Sequence, residues 1–282
     1  MPVLNKHDKT MIHQKTDAPR GLLRRGVADT TRYRHVRYHP SPDLVPYIEH
    51  FWVVEWDLRG KEPELAETLP HPSVHMVFES GGNSRIHGPS RAKFSRVLKN
   101  RGSVFAVKFT PGGFHPFAKI AVSTFSDRQL PLRTVFGADG DDLDRTVLSE
   151  SADAARIAVI ENLLRARRPA PDDNVMLAGQ LVYSVAKDRS ILTVEHLVTR
   201  YALTVRTLQR LFRTYVGVSP KWVIQRYRLH EAAEQLAARQ SINHASLAAE
   251  LGYSDQAHFG RDFKRIIGMT PAAYAKTLMS KQ

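Results

Sequence analysis

Apolar and polar positions alternate in short runs over the first half of the chain and follow a helical period over the second. Between Tyr33 and about Phe136, strand-sized runs at 51–56, 74–78 and 104–109 are separated by turn signals: Arg59-Gly60, Gly81-Gly82-Asn83, Asn100-Arg101-Gly102 and Pro111-Gly112-Gly113. Pro40, Pro42, Pro46, Pro63, Pro70 and Pro72 interrupt any long helix there, so the pattern predicts a β-rich unit. From Asp141 to Leu164 the spacing of Leu143, Val147, Ile157, Ile160, Leu163 and Leu164 predicts one or two amphipathic helices. Residues 165–174 then hold two prolines, charges of both signs and no apolar side chain larger than alanine, which reads as a linker. Beyond it nearly everything is helical in pattern, beginning with 175–186. The expected organisation is α+β: a flexible basic segment over 1–30, a β-rich domain over 31–165 that ends in helices, a linker at 166–174, and an all-α domain over 175–282.

The helical half contains a repeat. Phe212-Arg-Thr-Tyr-Val-Gly-Val-Ser-Pro220 and Phe263-Lys-Arg-Ile-Ile-Gly-Met-Thr-Pro271 align at an offset of 51 residues, which also pairs Arg210 with Arg261. In each copy a helix carries an aromatic core residue beside a basic one. A glycine follows where a left-handed C-cap is needed, and Ser/Thr-Pro opens the next helix. Upstream of each copy lies a shorter helix. Residues 194–201 end at a turn before Thr204, and 246–251 end at Gly252 before Ser254 or Asp255, the candidate N-caps. Helix, tight turn, helix, twice, is a tandem helix-turn-helix pattern.

Two similar hairpins could also pack into a plain bundle, and charge placement weighs against that. Arg206, Gln209, Arg210 and Arg213 share one helical face, opposite Leu208, Leu211 and Phe212. No acidic residue occurs from Thr204 through Val218, whereas a solvated face usually mixes signs. Arg and Gln offer the paired donors and acceptors that match guanine and adenine edges in a major groove. The net charge of +13 is distributed in the same sense: +6 over 1–40, −1 over 41–180 and +8 over 181–282. A near-neutral middle beside a basic helical end suits a globular domain joined to a polyanion binder.

The segments Leu208–Pro220 and Leu251–Pro271 closely resemble the signature of AraC/XylS-type transcription regulators, over about 190–278. The resemblance implies seven helices, with a long connecting helix near 219–238. Helices near 204–215 and 255–266 would lie in successive major-groove segments on one face of the DNA. Carried over by position, the base-facing residues would be Arg206, Gln209 and Arg210 in the first unit and Gln256, His258 and Arg261 in the second. Thr204, Arg213 and Lys264 would meet the backbone. The second unit departs from this pattern, since Ala257 and Gly260 stand where Arg206 and Gln209 stand in the first. That makes the second helix read as closer to a backbone clamp, with Arg261 and Lys264 its main polar contacts.

Tyr33 to about Gly137 also resembles a poorly characterised β-rich domain that precedes this module in some family members. The stretches Pro42–Trp52, Leu69–Ser73 and Val107–Phe114 carry the likeness, which implies a sensor or dimerisation role and names no ligand. His71, His75, His87 and His115 raise a zinc reading. Against it, Pro70 and Pro72 extend the chain between the first two, and only Glu79 lies near among carboxylates. Thirteen histidines also produce such groups by chance. Phe51, Trp52 and Trp56 read as core aromatics before they read as a ligand cage. Pro111-Gly112-Gly113 lacks the Lys-Ser/Thr of a phosphate loop, and no Gly-x-Ser-x-Gly, His-Glu-x-x-His or Gly-x-Gly-x-x-Gly occurs. With no cysteine in the chain, thiolate metal sites, cysteine nucleophiles and the cysteine-based alkyl transfer of some relatives are excluded.

Three readings remain at this level: a ligand-responsive transcription regulator, a constitutive architectural DNA binder whose N-terminal domain only dimerises, and an enzyme with a DNA-binding tail. The lack of a nucleophile or acid–base motif disfavours the third. The first calls for double-stranded DNA as partner, and admits a small-molecule effector at the N-terminal domain, RNA polymerase and a second copy of the chain. It calls for no cofactor, no metal and no membrane. The polar start of the chain, without an apolar stretch of signal-peptide or membrane-span length, fits the cytoplasm.

Overall fold

The computed structural model describes Lys15 and residues 32–81, 84–238 and 243–279. The segment expected to be flexible, 1–30, lies outside the described residues except for Lys15, which bridges Tyr38. Alternation in the first half produces β1 (Tyr33–Tyr38), β2 (Ile48–Leu58), β3 (Glu64–Thr68), β4 (His75–Glu79), β5 (Arg85–His87), β6 (Phe94–Leu98), β7 (Asn100–Phe109) and β8 (Gln129–Pro131). Six of them form an antiparallel sheet in the order β1-β2-β7-β4-β5-β8, and β3 pairs with β6 in a separate ribbon.

The period of two sorts each strand onto two faces. Phe51 and Val53 of β2, Phe105, Val107 and Phe109 of β7, and Met76 and Phe78 of β4 share one fully buried face. Phe51 stacks on Phe105 there, with ring centroids 6.1 Å apart. This face is covered by α1 (His115–Ala118), α2 (Arg133–Phe136), α3 (Ala138–Ser149) and α4 (Asp153–Ala166), which contribute Phe136, Leu143, Val147, Ile157, Ile160 and Leu164. The periodicity read over 141–164 is therefore two helices, both packed on the sheet. A buried carboxylate fixes the second. Glu161 accepts from the backbone N–H of Ser41 at 2.7 Å and from its hydroxyl at 2.6 Å, and Arg165 reaches it at 3.1 Å.

One predicted turn belongs to a strand. Asn100-Arg101-Gly102 opens β7; only Asn100 keeps a left-handed backbone, at φ 55°. Gly102 sits opposite Trp56 in the ladder, and a β-carbon there would fall 2.2 Å from the indole. The glycine makes room for a ring instead of bending the chain.

The second half is α5 (Asp173–Lys187), α6 (Val194–Arg200), α7 (Val205–Leu211), a π-helical turn (Phe212–Val216), α8 (Pro220–Ala238), α9 (His244–Glu250), α10 (Gln256–Ile267) and α11 (Pro271–Met279). These are the seven helices that the resemblance implies. They form two cores, one within α5 to α8 around Leu208, Phe212 and Trp222, the other within α8 to α11 around Leu229, Phe259 and Phe263. The halves do not separate cleanly. Val175 of α5 is part of the sheet-and-helix core, and Leu69 from the N-terminal half is part of the last one. Among the described residues no helix is long and apolar enough to cross a membrane.

Candidate nucleic-acid interface

Each helix-turn-helix unit is closed by side-chain caps at the positions the sequence offers. Thr204 Oγ1 accepts from the N–H of Thr207 at 3.1 Å and starts α7. Asp255, not Ser254, accepts from the N–H of His258 at 2.7 Å and starts α10. That hydrogen bond lowers the Asp255 pKa from the ordinary carboxylate value. Such caps satisfy a backbone donor that has no partner within the helix. The turns before them are also alike. Ala202 (φ 50°) and Gly252 (φ 79°) are left-handed, and each is followed by a residue that donates five positions back: Leu203 to Val198 O, Tyr253 to Ala248 O. At the other ends Gly217 and Gly268 cap the two longer helices with φ of 86° and 92°, and Pro220 and Pro271 start the next ones.

The face predicted on α7 is the one left uncovered. Thr204, Arg206, Gln209, Arg210 and Arg213 are exposed, while Leu208, Leu211 and Phe212 are buried. None of the three arginines is ion-paired among the described residues, so their charge is presented to solvent. The second unit is built differently. Gln256, Arg261 and Lys264 are exposed, but His258 is half-buried, 3.4 Å from the Asp262 carboxylate and edge-on to Tyr253. Asp262 itself is buried. It accepts from Gln225 of α8 at 3.1 Å and from Arg265 at 2.9 Å, so it ties α10 to the connecting helix. Sequence reasoning missed this residue: an acid inside a basic helix reads as solvated unless its place on the apolar face, between Phe259 and Phe263, is noticed.

Gly260 has open space around it; a β-carbon would meet nothing within 4 Å. Packing does not require the glycine. Gly260→Ala should therefore raise stability by up to about 1 kcal/mol, the helix propensity difference. A denaturation midpoint that falls would reveal a contact on that face.

The four histidines considered for zinc do not gather into one ligand set among the described residues. His75 and His87 are cross-strand neighbours on β4 and β5, His71 faces Arg226 of α8, and His115 lies 4.4 Å (ring centroids) from Tyr215. Among the described residues no group of three or more His, Cys, Asp or Glu side chains is placed to hold a metal. Phe51 and Trp56 are buried and Trp52 half-buried, with the Trp52 ring against His75.

The N-terminal half touches both units. Ser126 Oγ donates to the carbonyl of Gly217 at 2.6 Å, beside Val122 and Pro89. Lys93 lies over Gly268, the residue that matches Gly217 in the repeat, and ion-pairs with buried Glu67. Between them Arg226 donates to the carbonyl of Pro70 at 2.7 Å. Arg226 was detectable as a charge on the apolar stripe of Trp222, Leu229 and Ala233.

Residues 197–277 match a family described as "Helix-turn-helix domain", and residues 36–131 match a "Domain of unknown function". Similar proteins include the HTH-type transcriptional activator RhaS of Escherichia fergusonii, 33% identical over 78 residues that cover 27% of this chain and 27% of that protein. A putative AraC-like transcription regulator of Streptomyces lividans is 34% identical over 84 residues, 30% of this chain and 27% of that one. The chain thus spans less than a third of the length of these relatives. Among solved structures, an apo form of ToxT from Vibrio cholerae aligns over 81% of this chain and 97% of that one, at 12% identity and a TM-score of 0.39.

Proposed function

We propose that this chain, which joins a β-rich domain of unknown function to a C-terminal AraC-type helix-turn-helix domain, is a transcription regulator that reads two successive major-groove segments of duplex DNA. The observation that carries the reading is the face of α7. A capped helix turns two exposed arginines and a glutamine outward with no acid to neutralise them. Arg206, Gln209 and Arg210 have the chemistry to read base edges, and Thr204 and Arg213 flank them toward the phosphates. On α10, Gln256 and Arg261 can reach bases, Lys264 a phosphate, and His258 only by giving up Asp262. The β-rich domain modulates this activity through its contacts with both units, which a domain that only dimerises would not need. A second copy of the chain and RNA polymerase are further partners of this reading, and the cytoplasm is its setting.

Salt dependence tests the electrostatic part. Two phosphates neutralised by Arg213 and Lys264 give a slope of log affinity against log salt of about −1.8, and each further phosphate contact adds about −0.9. Titrating promoter fragments between low and moderate salt measures it; a flat response would overturn DNA as the partner. If affinity for DNA never changes with any ligand of the N-terminal domain, the architectural reading replaces the regulatory one.

A further inference from the structure

On the face of the six-stranded sheet turned away from the aromatic core, one end is basic and the rest is an apolar cluster around Trp56 and Val104. The register sets His50 of β2, Lys108 of β7 and His75 of β4 side by side in one cross-strand row. Arg37 of β1 occupies the next row, opposite Trp52. A β-bulge between Ile48 and His50 aims Glu49 at the same place, where its carboxylate accepts from Lys108 Nζ at 2.8 Å. From the other side α8 supplies Arg226, only 3% exposed, whose guanidinium lies over the Tyr227 ring and reaches His71 at 3.2 Å.

Among the described residues these three cations have one carboxylate in direct contact, Glu49 on Lys108, while the largely exposed Glu234 acts on Arg226 without touching it. Lys108 is 8% exposed and shares Glu49, whose own side chain is 41% exposed and can swing to water. Arg226 touches no carboxylate among the described residues; its hydrogen bonds go to Pro70 O and His71. Arg37 Nε is buried with no hydrogen-bond partner among the described residues. Buried charge without a counter-charge is costly; Arg226 is such a charge, and Glu49, the carboxylate that serves Lys108 and acts on Arg37, is partly exposed, so the site is short of negative charge. The imidazoles add donors. His71 Nδ1 faces Arg226, and His75 Nδ1 accepts from Trp52 Nε1 at 3.4 Å, which leaves the proton of each ring on Nε2. Burial holds His50, His71 and His75 below their ordinary pKa, so they are neutral at pH 7 and add no positive charge of their own.

We propose that Lys108, Arg226 and Arg37, with His71 and His75 as neutral donors, form a binding site for a compact oxyanion, a carboxylate or phosphate group, between the β-rich domain and the connecting helix. A metal ion would be repelled by the same charges. Because Arg226 belongs to α8 and the other residues to the N-terminal half, the anion would draw the halves together. That consequence rests on the regulatory reading above; the site itself does not.

The test uses the full chain. Sodium phosphate, acetate and benzoate are titrated against sodium chloride at equal ionic strength, with binding read by calorimetry and by the thermal midpoint. At least one oxyanion should bind saturably, and the arm that responds identifies phosphate or carboxylate. Glu49→Gln, which removes the competing carboxylate from a partly exposed position, should tighten binding several-fold. Lys108→Gln should weaken it at least tenfold, and Arg213→Ala, on the DNA-facing surface, should leave it unchanged. The two variants at the site move in opposite directions, so poor folding of the lysine variant does not remove the test. The proposal is overturned if no oxyanion binds, or if Glu49→Gln leaves affinity unchanged while Arg213→Ala abolishes it. Oxyanion binding that never alters DNA affinity would leave the site standing and sink the effector role; absence of DNA binding would sink the regulatory reading alone.

Discussion

Replacing Arg210 or Gln209 with alanine should weaken binding to the cognate DNA site by about 1–3 kcal/mol, roughly 5- to 150-fold, and relax preference at particular base pairs. Both side chains are exposed, and the core beneath them is Leu208, Leu211 and Phe212, which the substitution does not touch. The loss would therefore fall on recognition, since exposed substitutions of this kind seldom move stability by more than about 0.5 kcal/mol. Arg213→Ala supplies the contrast: removing a charge aimed at a phosphate should weaken all sequences about equally. The second unit should behave asymmetrically. Ala257 has no hydrogen-bonding group to offer, Gly260 has no side chain at all, and His258 is held at 3.4 Å from Asp262. Arg261→Ala is then the one change on α10 expected to alter sequence preference appreciably, and Lys264→Ala should resemble Arg213→Ala. Selection from a random DNA pool with each variant reads both quantities. A half-site facing α10 that is as information-rich as the one facing α7, and stays so without Arg261, would overturn the asymmetry.

The parts of this molecule legible from sequence are those governed by local rules. Caps at Thr204 and Asp255, left-handed glycines at 217 and 268 and prolines at 220 and 271 each satisfy a nearby backbone group, so one helix reveals its own ends. The exposed arginine face follows from the same periodicity. What stayed hidden depends on contacts more than a hundred residues apart. Ser41 with Glu161 and Pro70 with Arg226 leave no periodic trace, and Leu69 reads as an ordinary loop residue although it completes the last core. The strand register is a further case. Alternation gives the two faces of β2, β4 and β7, but only the pairing places His50, Lys108 and His75 in one row, and only the bulge brings Glu49 to them. Asn100-Arg101-Gly102 failed for the opposite reason: residues with turn chemistry were recruited to clear space for Trp56.

Gly217→Ala should be far more damaging than Gly268→Ala, although the repeat makes the two residues equivalent. Both adopt left-handed backbone, φ 86° and 92°, so alanine costs about 1–2 kcal/mol at either place. Their surroundings differ. At Gly217 a β-carbon would fall 2.7 Å from Val122 Cγ1, 2.9 Å from Ser126 Oγ and 3.1 Å from Pro89 Cγ, all on the packed N-terminal half. At Gly268 its three nearest neighbours would all be atoms of Lys93, with Cε and Nζ at 2.7 Å, the far end of a flexible chain that can shift by a few tenths of an ångström and stay on Glu67. Overpacking of the first kind adds about 1–3 kcal/mol. The totals are about 2–5 kcal/mol for Gly217→Ala and about 1–2 kcal/mol for Gly268→Ala. The first also displaces Ser126, whose hydroxyl donates to the Gly217 carbonyl, so the strain falls on the contact between the β-rich domain and the first helix-turn-helix unit. Denaturation of the full chain measures the costs, and a double-mutant cycle locates them. Val122→Ala should recover part of the loss in the Gly217→Ala background, with a coupling of about 0.5–3 kcal/mol, the range for residues in contact. Equal destabilisation by the two glycine substitutions, with no coupling to Val122, would mean that the β-rich domain does not rest on the cap of α7 in solution, and the route by which it modulates DNA reading would have to lie elsewhere.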